Sequence, residues 1–225
     1  MPNLFIVATP IGNLEDVTLR TLRVLKEVDL ILCEDTRVTR KLLDHYEIKT
    51  ATHSFNAHAS EAKVGKIIEL LKGGKNLALV SDAGTPGISD PGSYLVSIVR
   101  QKLPDVTIVA IPGASAVTGA LSVSGLPASD FLFLGFLPHK KGRETLFKEI
   151  ALSKRTVVFY ESPHRIMKTL ESLKANLSVY RYIVIARELT KIYEEIISGT
   201  PQEVLTFFEN HPEKVRGEFV VVIGV

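Results

Sequence analysis

The residues best suited to chemistry sit in three glycine- or proline-bearing segments, each directly after a short apolar run. They are Thr9-Pro10-Ile11-Gly12-Asn13-Leu14, the stretch 81–92 with Asp82, Gly84, Thr85, Pro86, Gly87, Ile88 and Asp90, and Pro112-Gly113-Ala114-Ser115-Ala116. Glycine lets backbone N–H and C=O groups approach a ligand closely, and proline stiffens a loop in advance. The same residues are ordinary turn formers, and Asp90-Pro91 and Ser115 also read as helix starts. Their recurrence after strands favours a cradle for a small molecule, because ligands gather at the carboxyl ends of strands in an open parallel sheet. The first segment is not Gly-x-Gly-x-x-Gly, and no Gly-x-x-x-x-Gly-Lys-Ser/Thr occurs, so a nicotinamide dinucleotide and a P-loop nucleotide are both disfavoured. Low basicity in these loops disfavours a polyphosphate, and a neutral or zwitterionic nucleoside ligand suits them better.

The elements that must position these loops follow from hydrophobic patterning. Aliphatic runs at 4–8, 30–33, 76–80 and 107–111 have strand length, and helix-like segments lie between them. Over 18–28, Leu19, Leu22 and Leu25 recur every three residues, and over 61–72 Val64, Ile67, Ile68 and Leu71 share a face. Near-continuous apolar strands separated by helices predict a mainly parallel sheet covered on both faces.

In the second half, 131–135, 156–160, 182–186, 192–198 and 219–223 read as strands. The short gap between 182–186 and 192–198 leaves no room for a helix and predicts antiparallel pairing. Thr200 to Glu203, with Pro201, forms a capping box that opens a helix. The reading is a two-domain α/β protein, with an N-terminal domain over 1–113 and a C-terminal domain over 114–225. Two domains joined so tightly predict a cleft, a favoured place for ligands.

Composition narrows the setting. The chain has 225 residues, 45% of them hydrophobic, and a net charge of +2. No apolar run reaches the roughly 18 to 20 residues of a membrane span, and the start lacks the basic region and cleavage site of a signal peptide. The single cysteine, Cys33, allows no intrachain disulfide and no cysteine metal site, so a reducing, cytoplasmic setting is expected. The histidines show no metal-ligand spacing; His53 and His58 read as loop residues. Cys33 reads as a buried small residue. Between His139 and Arg155, Lys140, Lys141, Arg143, Lys148, Lys154 and Arg155 face only Glu144 and Glu149. That local basic excess suits a polyanion, or a solvated helix face.

Seven ordered motifs carry a resemblance. They are 9–14 with Asp16 and Thr18; Cys33-Glu34-Asp35-Thr36-Arg37; 81–92; 112–116; Gly135-Phe136-Leu137-Pro138; Glu161-Ser162-Pro163-His164-Arg165; and Arg187-Glu188-Leu189-Thr190-Lys191. The set resembles the small-subunit ribosomal RNA methyltransferases of the tetrapyrrole (corrin/porphyrin) methylase superfamily. The resemblance implies 2′-O-methylation of a cytidine ribose in 16S ribosomal RNA, with S-adenosylmethionine bound between two α/β domains of a homodimer. It implies a mainly parallel sheet in the first domain and a mixed sheet in the second. Carried over by position, Pro10, Ile11, Asp82, Gly84, Thr85, Pro86, Ile88, Ser115, Ala116, Tyr160 and Ala186 would hold the cofactor. The partner would be ribosomal RNA or the small subunit, with no membrane and no metal. Many members of that family carry a further C-terminal segment; where it grips RNA, this chain is expected to grip it otherwise.

Methyl transfer to a ribose hydroxyl needs in-line positioning, a proton acceptor and a hold on the phosphates. Glu34, Asp35, Asp82, Glu161, Glu188 and Lys191 are candidate acceptors, the lysine only with a depressed pKa. Glu34, Asp35 and Lys191 are the favoured catalytic set, and Arg37, Arg165, Lys140 and Lys141 the expected RNA contacts; Lys191 is a candidate for either role. Ser162-Pro163 also reads as a helix start, and Glu34-Asp35 with Arg37 as a surface ion pair. The rival activity on the same fold is carbon methylation of a tetrapyrrole precursor. A nucleoside-binding module without catalysis is disfavoured by the charged loops.

Overall fold

The computed structural model describes residues 1–56, 61–90 and 92–225. His58 and the proline of the expected Asp90-Pro91 helix start lie outside them. The chain divides into two compact units, Met1–Ser115 and Ala116–Val225.

In the first unit, strands β1 (Asn3–Val7), β2 (Leu30–Cys33), β3 (Thr52–Ser54), β4 (Leu77–Val80) and β5 (Thr107–Ile111) form one sheet in the order β3-β2-β4-β1-β5. All four pairings are parallel. Helices α1 (Leu19–Glu27), α2 (Thr36–His45), α3 (Glu61–Lys72) and α4 (Gly92–Lys102) lie between strands in the chain. Alternation along β4 sends Leu77 and Leu79 to one face, against Ile67, Ile68 and Leu71 of α3 and Leu95 and Val99 of α4. Ala78 and Val80 go to the other face, with Leu25 of α1 and Leu42 and Leu43 of α2. Both faces are therefore dry, as the unbroken apolar strands require.

Two details differ from the sequence reading. Leu19 is 86% exposed, and α1 buries Thr21, Val24 and Leu25 instead. The repeat of three drifts off a 3.6-residue helix face, so Leu19 falls outside the buried stripe. β3 is a three-residue edge strand, Thr52-His53-Ser54, so His53 belongs to a strand and not a loop. Cys33, as expected, is fully buried, and burial raises its thiol pKa.

In the second unit, β6 (Phe131–Phe136), β7 (Thr156–Glu161), β8 (Ile183–Arg187), β9 (Glu195–Gly199) and β10 (Phe219–Ile223) form a mixed sheet in the order β6-β7-β10-β8-β9. Only β6 and β7 run parallel; β8 and β9 form the expected antiparallel pair. On one face Val157, Phe159, Ile185 and Val221 pack with α6 (Arg143–Leu152), α7 (Ile166–Asn176) and α8 (Pro201–Asn210). On the other face Val158, Val184, Ala186 and Val220 meet Val117, Ala120 and Leu121 of α5 (Ala116–Ser124). The Thr200–Glu203 capping box is present at α8. α7 starts three residues after Pro163, because the Ser162 carbonyl accepts both the Arg165 and Ile166 N–H groups and closes a turn first. No helix among the described residues is long and apolar enough to cross a membrane.

Candidate active site

Parallel register brings the three ligand-type loops together. Val7 of β1 stands opposite Val80 of β4 and Ile111 of β5, so the chain leaves all three strands at one edge of the sheet. Thr9 and Gly84 exchange backbone hydrogen bonds at 3.0 Å each, and Thr9 Oγ1 donates to the Ser81 carbonyl at 3.1 Å. Ser81 Oγ donates to the Ala83 and Gly84 carbonyls. Gly84 has φ +79°, and a Cβ there would lie 3.4 Å from Ile11 Cγ2 and 3.7 Å from the Ala114 carbonyl. Ile11, Gly84 and Ala114 thus meet, one from each loop. Asp90 Oδ1 accepts the N–H groups of Gly87 and Gly92 at 2.6 and 2.7 Å, tying these two glycines to one carboxylate. Pro86 is buried, Pro10, Thr85 and Ser115 are half-buried, and Ile88 is 49% exposed at the loop tip.

The acidic pair after β2 separates into two kinds of carboxylate. Asp35 caps α2 by accepting the Arg37 N–H at 2.8 Å, and pairs with the Arg37 guanidinium at 2.6 Å. The hydrogen bonds from Arg37 hold the Asp35 pKa down at about 2. Glu34 faces a small hollow of about 200 Å³ beside Phe55, Ser81, Pro86 and Asp90. It makes no hydrogen bond or ion pair with another described residue. Burial, then the charges of Asp82, Asp90 and Asp35, raise its pKa. A carboxylate pushed upward is the better proton acceptor, and one held near 2 the poorer. Asp82, expected at the cofactor, accepts the Asp35 backbone N–H through Oδ1 at 3.0 Å.

Sequence reasoning also marked residues in the second unit. Tyr160 and Ala186 stand opposite Val220 on neighbouring strands, and with Ala116 they belong to the cluster under α5. Tyr160 packs against Phe133 and Phe136 with ring centroids 5.1 and 5.3 Å apart, and burial raises its phenol pKa. Lys191 contacts Glu188 at 2.9 Å and Glu218 at 3.1 Å. Burial pulls its pKa down, but those hydrogen bonds outweigh the burial and leave it raised. Lys191 is therefore held as an ammonium, contrary to the depressed pKa a base would need.

The chain can now be set beside known proteins. Residues 3–205 match the model for Tetrapyrrole (Corrin/Porphyrin) Methylases. Ribosomal RNA small subunit methyltransferase I of Thermotoga maritima is 48% identical over 224 residues, covering 100% of this chain and 99% of that one. This chain belongs to the tetrapyrrole methylase family, on its ribosomal RNA small subunit methyltransferase I branch. The tetrapyrrole methylase fold is shared with the methyltransferase CobJ, at TM-score 0.72 and 20% identity over 100% of this chain and 94% of that one. It is also shared with uroporphyrin-III C-methyl transferase from Thermus thermophilus complexed with S-adenyl homocysteine, at TM-score 0.64 and 17% identity over 99% and 97% of the two chains.

In this tetrapyrrole methylase the sequence motifs concealed several roles. Arg165, an expected RNA contact, pairs with Glu161 at 2.8 Å and donates to the Leu137 carbonyl at 2.7 Å, so its guanidinium is engaged inside its own unit. Glu161 is fully buried between Arg165 and Arg143, which leaves it no part as a free base. Gly217 has φ +90°, a left-handed backbone that favours glycine, and a Cβ there would meet the flexible end of the Glu188 side chain. A lone glycine twenty-nine residues from Glu188 gives no sequence signal of that contact. Lys140 and Lys141 are exposed, as an RNA contact requires.

Proposed function

We propose that this protein moves a methyl group from S-adenosylmethionine to the ribose 2′-oxygen of a cytidine in small-subunit ribosomal RNA. The name of the full-length Thermotoga relative supports the substrate class. The related fold complexed with S-adenyl homocysteine supports the cofactor. The observation that carries the chemistry is Glu34: a carboxylate of raised pKa, without a partner among the described residues, beside the 81–92 loop.

The loops fit a nucleoside-type cofactor. Their backbone is tied in advance by the Thr9–Gly84 pair and by Asp90, so little order is lost on binding. At Gly84 a side chain would fill the space where the three loops meet. Pro10, Ile11, Gly84, Thr85, Pro86, Ile88 and Ser115 of the first unit would hold the cofactor. Asp82 acts one step back, through Asp35. S-adenosylmethionine, when bound, would supply an electrophilic methyl on a sulfonium, with a neutral thioether as its leaving group. Glu34 would accept the ribose hydroxyl proton as the oxygen takes the methyl, and its carboxylic acid would then return the proton to water. Asp35 stays ionised and orients Arg37. Arg37 sits in an exposed ion pair that solvent screens, so a phosphate can take it over. The resemblance further implies a homodimer in the cytoplasm, the first of which light scattering reads directly.

The test is methyl-labelled S-adenosylmethionine with small ribosomal subunits, naked ribosomal RNA or a porphyrin precursor in separate reactions. Label in RNA supports the reading. Label only in the porphyrin sample overturns it.

A further inference from the structure

The basic excess over 139–155 does not consist of equivalent charges. Arg155 pairs with Asp130 at 2.8 Å. Arg143 is drawn inside: it reaches Glu161 at 3.2 Å and Thr169 Oγ1 at 2.6 Å, while donating to the Pro138 carbonyl at 3.2 Å. Arg165 mirrors it, binding Glu161 at 2.8 Å and the adjacent Leu137 carbonyl at 2.7 Å. Thr169 Oγ1 donates to Glu161 at 2.6 Å, and the Ser162 N–H donates to the same carboxylate at 2.9 Å. One buried carboxylate, exposed 0% at its side chain, thus holds two guanidiniums, and each grips one of two successive loop carbonyls. The loop then runs through exposed His139, Lys140 and Lys141 to Gly142 at φ +81°, and the Arg143 N–H donates back to the Lys140 carbonyl at 3.2 Å.

We propose that Glu161, Arg143, Arg165 and Thr169 form a buried ionic strut that sets the 137–142 loop so that Lys140 and Lys141 meet the phosphodiester backbone of the RNA substrate. The proposal rests on the RNA reading above. Arg165, an expected RNA contact, and Arg143, part of the basic excess, are positioning residues, and the two lysines are the contacts. A fixed loop matters because a flexible four-carbon side chain already loses entropy on meeting a phosphate, and a moving backbone beneath it would add to that loss. A carboxylate that accepts from two guanidiniums, a hydroxyl and a backbone N–H is satisfied in a way that fixes direction as well as charge.

Binding of a cytidine-containing ribosomal RNA fragment is measured at several salt concentrations, alongside KM and kcat for RNA and the dissociation constant for S-adenosylmethionine. Lys140→Ala/Lys141→Ala is expected to weaken RNA binding about tenfold and to reduce the slope of log affinity against log salt by about 1.5, the share of two phosphate contacts. Thr169→Val, which removes the hydroxyl between Arg143 and Glu161, is expected to raise KM for RNA about threefold with little change in kcat. Thr169→Ser, which keeps the hydroxyl, is expected to restore KM. Adding the lysine changes to Thr169→Val should then weaken binding by less than the lysine changes do alone. An unchanged salt slope for the lysine variant overturns the contact. A folded Thr169→Val with wild-type KM, or full additivity with the lysine changes, overturns the strut. Should the wild type transfer no methyl to RNA, the functional reading fails, while the binding and salt measurements still decide the strut.

Discussion

Asp82 Oδ1 accepts the backbone N–H of Asp35 at 3.0 Å, tying the loop after β4 to the end of β2 one residue from Glu34. The same carboxylate is the largest charge contribution to the raised pKa of Glu34. One side chain therefore both places the proposed base and tunes it.

Asp82→Asn keeps an oxygen for the Asp35 N–H and removes the charge. The Glu34 pKa should fall toward the ordinary glutamate value, and the acidic limb of the pH–rate profile should move to lower pH. Asp82→Ala leaves that N–H without its partner and should destabilise the protein by about 1–2 kcal/mol, read from urea midpoints. An unmoved acidic limb in Asp82→Asn would count against Glu34 as the base.

Methyl transfer by the wild type should rise with pH through the raised Glu34 pKa, since the base must be ionised. The stability effect has the opposite sense. Folding raises this pKa, so the folded state favours the protonated acid; below the unfolded pKa the group is neutral in both states, and above the folded pKa its ionisation opposes folding. Glu34→Gln should therefore melt at a higher temperature than wild type near neutral pH, with the difference fading in acid.

Gly84→Ala places a methyl in a left-handed backbone, 3.4 Å from Ile11 Cγ2. A loss of about 1 kcal/mol in stability is expected, together with weaker cofactor binding by calorimetry. Gly217→Ala places a methyl in another left-handed backbone, at φ +90°, and should cost a similar amount, with the end of the Glu188 side chain shifting aside.

Lys191→Met removes an ammonium already committed to Glu188 and Glu218. The pH–rate profile should keep its shape, with any loss of rate small beside that of Glu34→Gln. Disappearance of a basic limb would restore Lys191 as a catalytic candidate.

Much of the frame was legible because burial on both faces writes itself as aliphatic runs: β1, β4 and β5 fall within one residue of their expected limits. The loops between them were legible for the same reason, since parallel strands must release the chain at one edge. β3 was not, because a three-residue edge strand of Thr, His and Ser carries no apolar run. Nor could motifs tell a base from a brace. Glu34 and Asp35 are adjacent, yet the Arg37 pairing that separates their acidities depends on Asp35 capping α2. Glu161 lies eighteen residues from Arg143 and eight from Thr169, and only the packing of β7, α6 and α7 joins them.

Glu34 is the proposed proton acceptor in a ribose methylation. Small ribosomal subunits are incubated with S-adenosylmethionine and wild type or Glu34→Gln, cofactor binding by each is checked by calorimetry, and the RNA is digested to nucleosides for mass spectrometry. The prediction is 2′-O-methylcytidine with wild type and a yield about a hundredfold or more lower with a variant that still binds the cofactor. Equal yields of 2′-O-methylcytidine from the two proteins would contradict it.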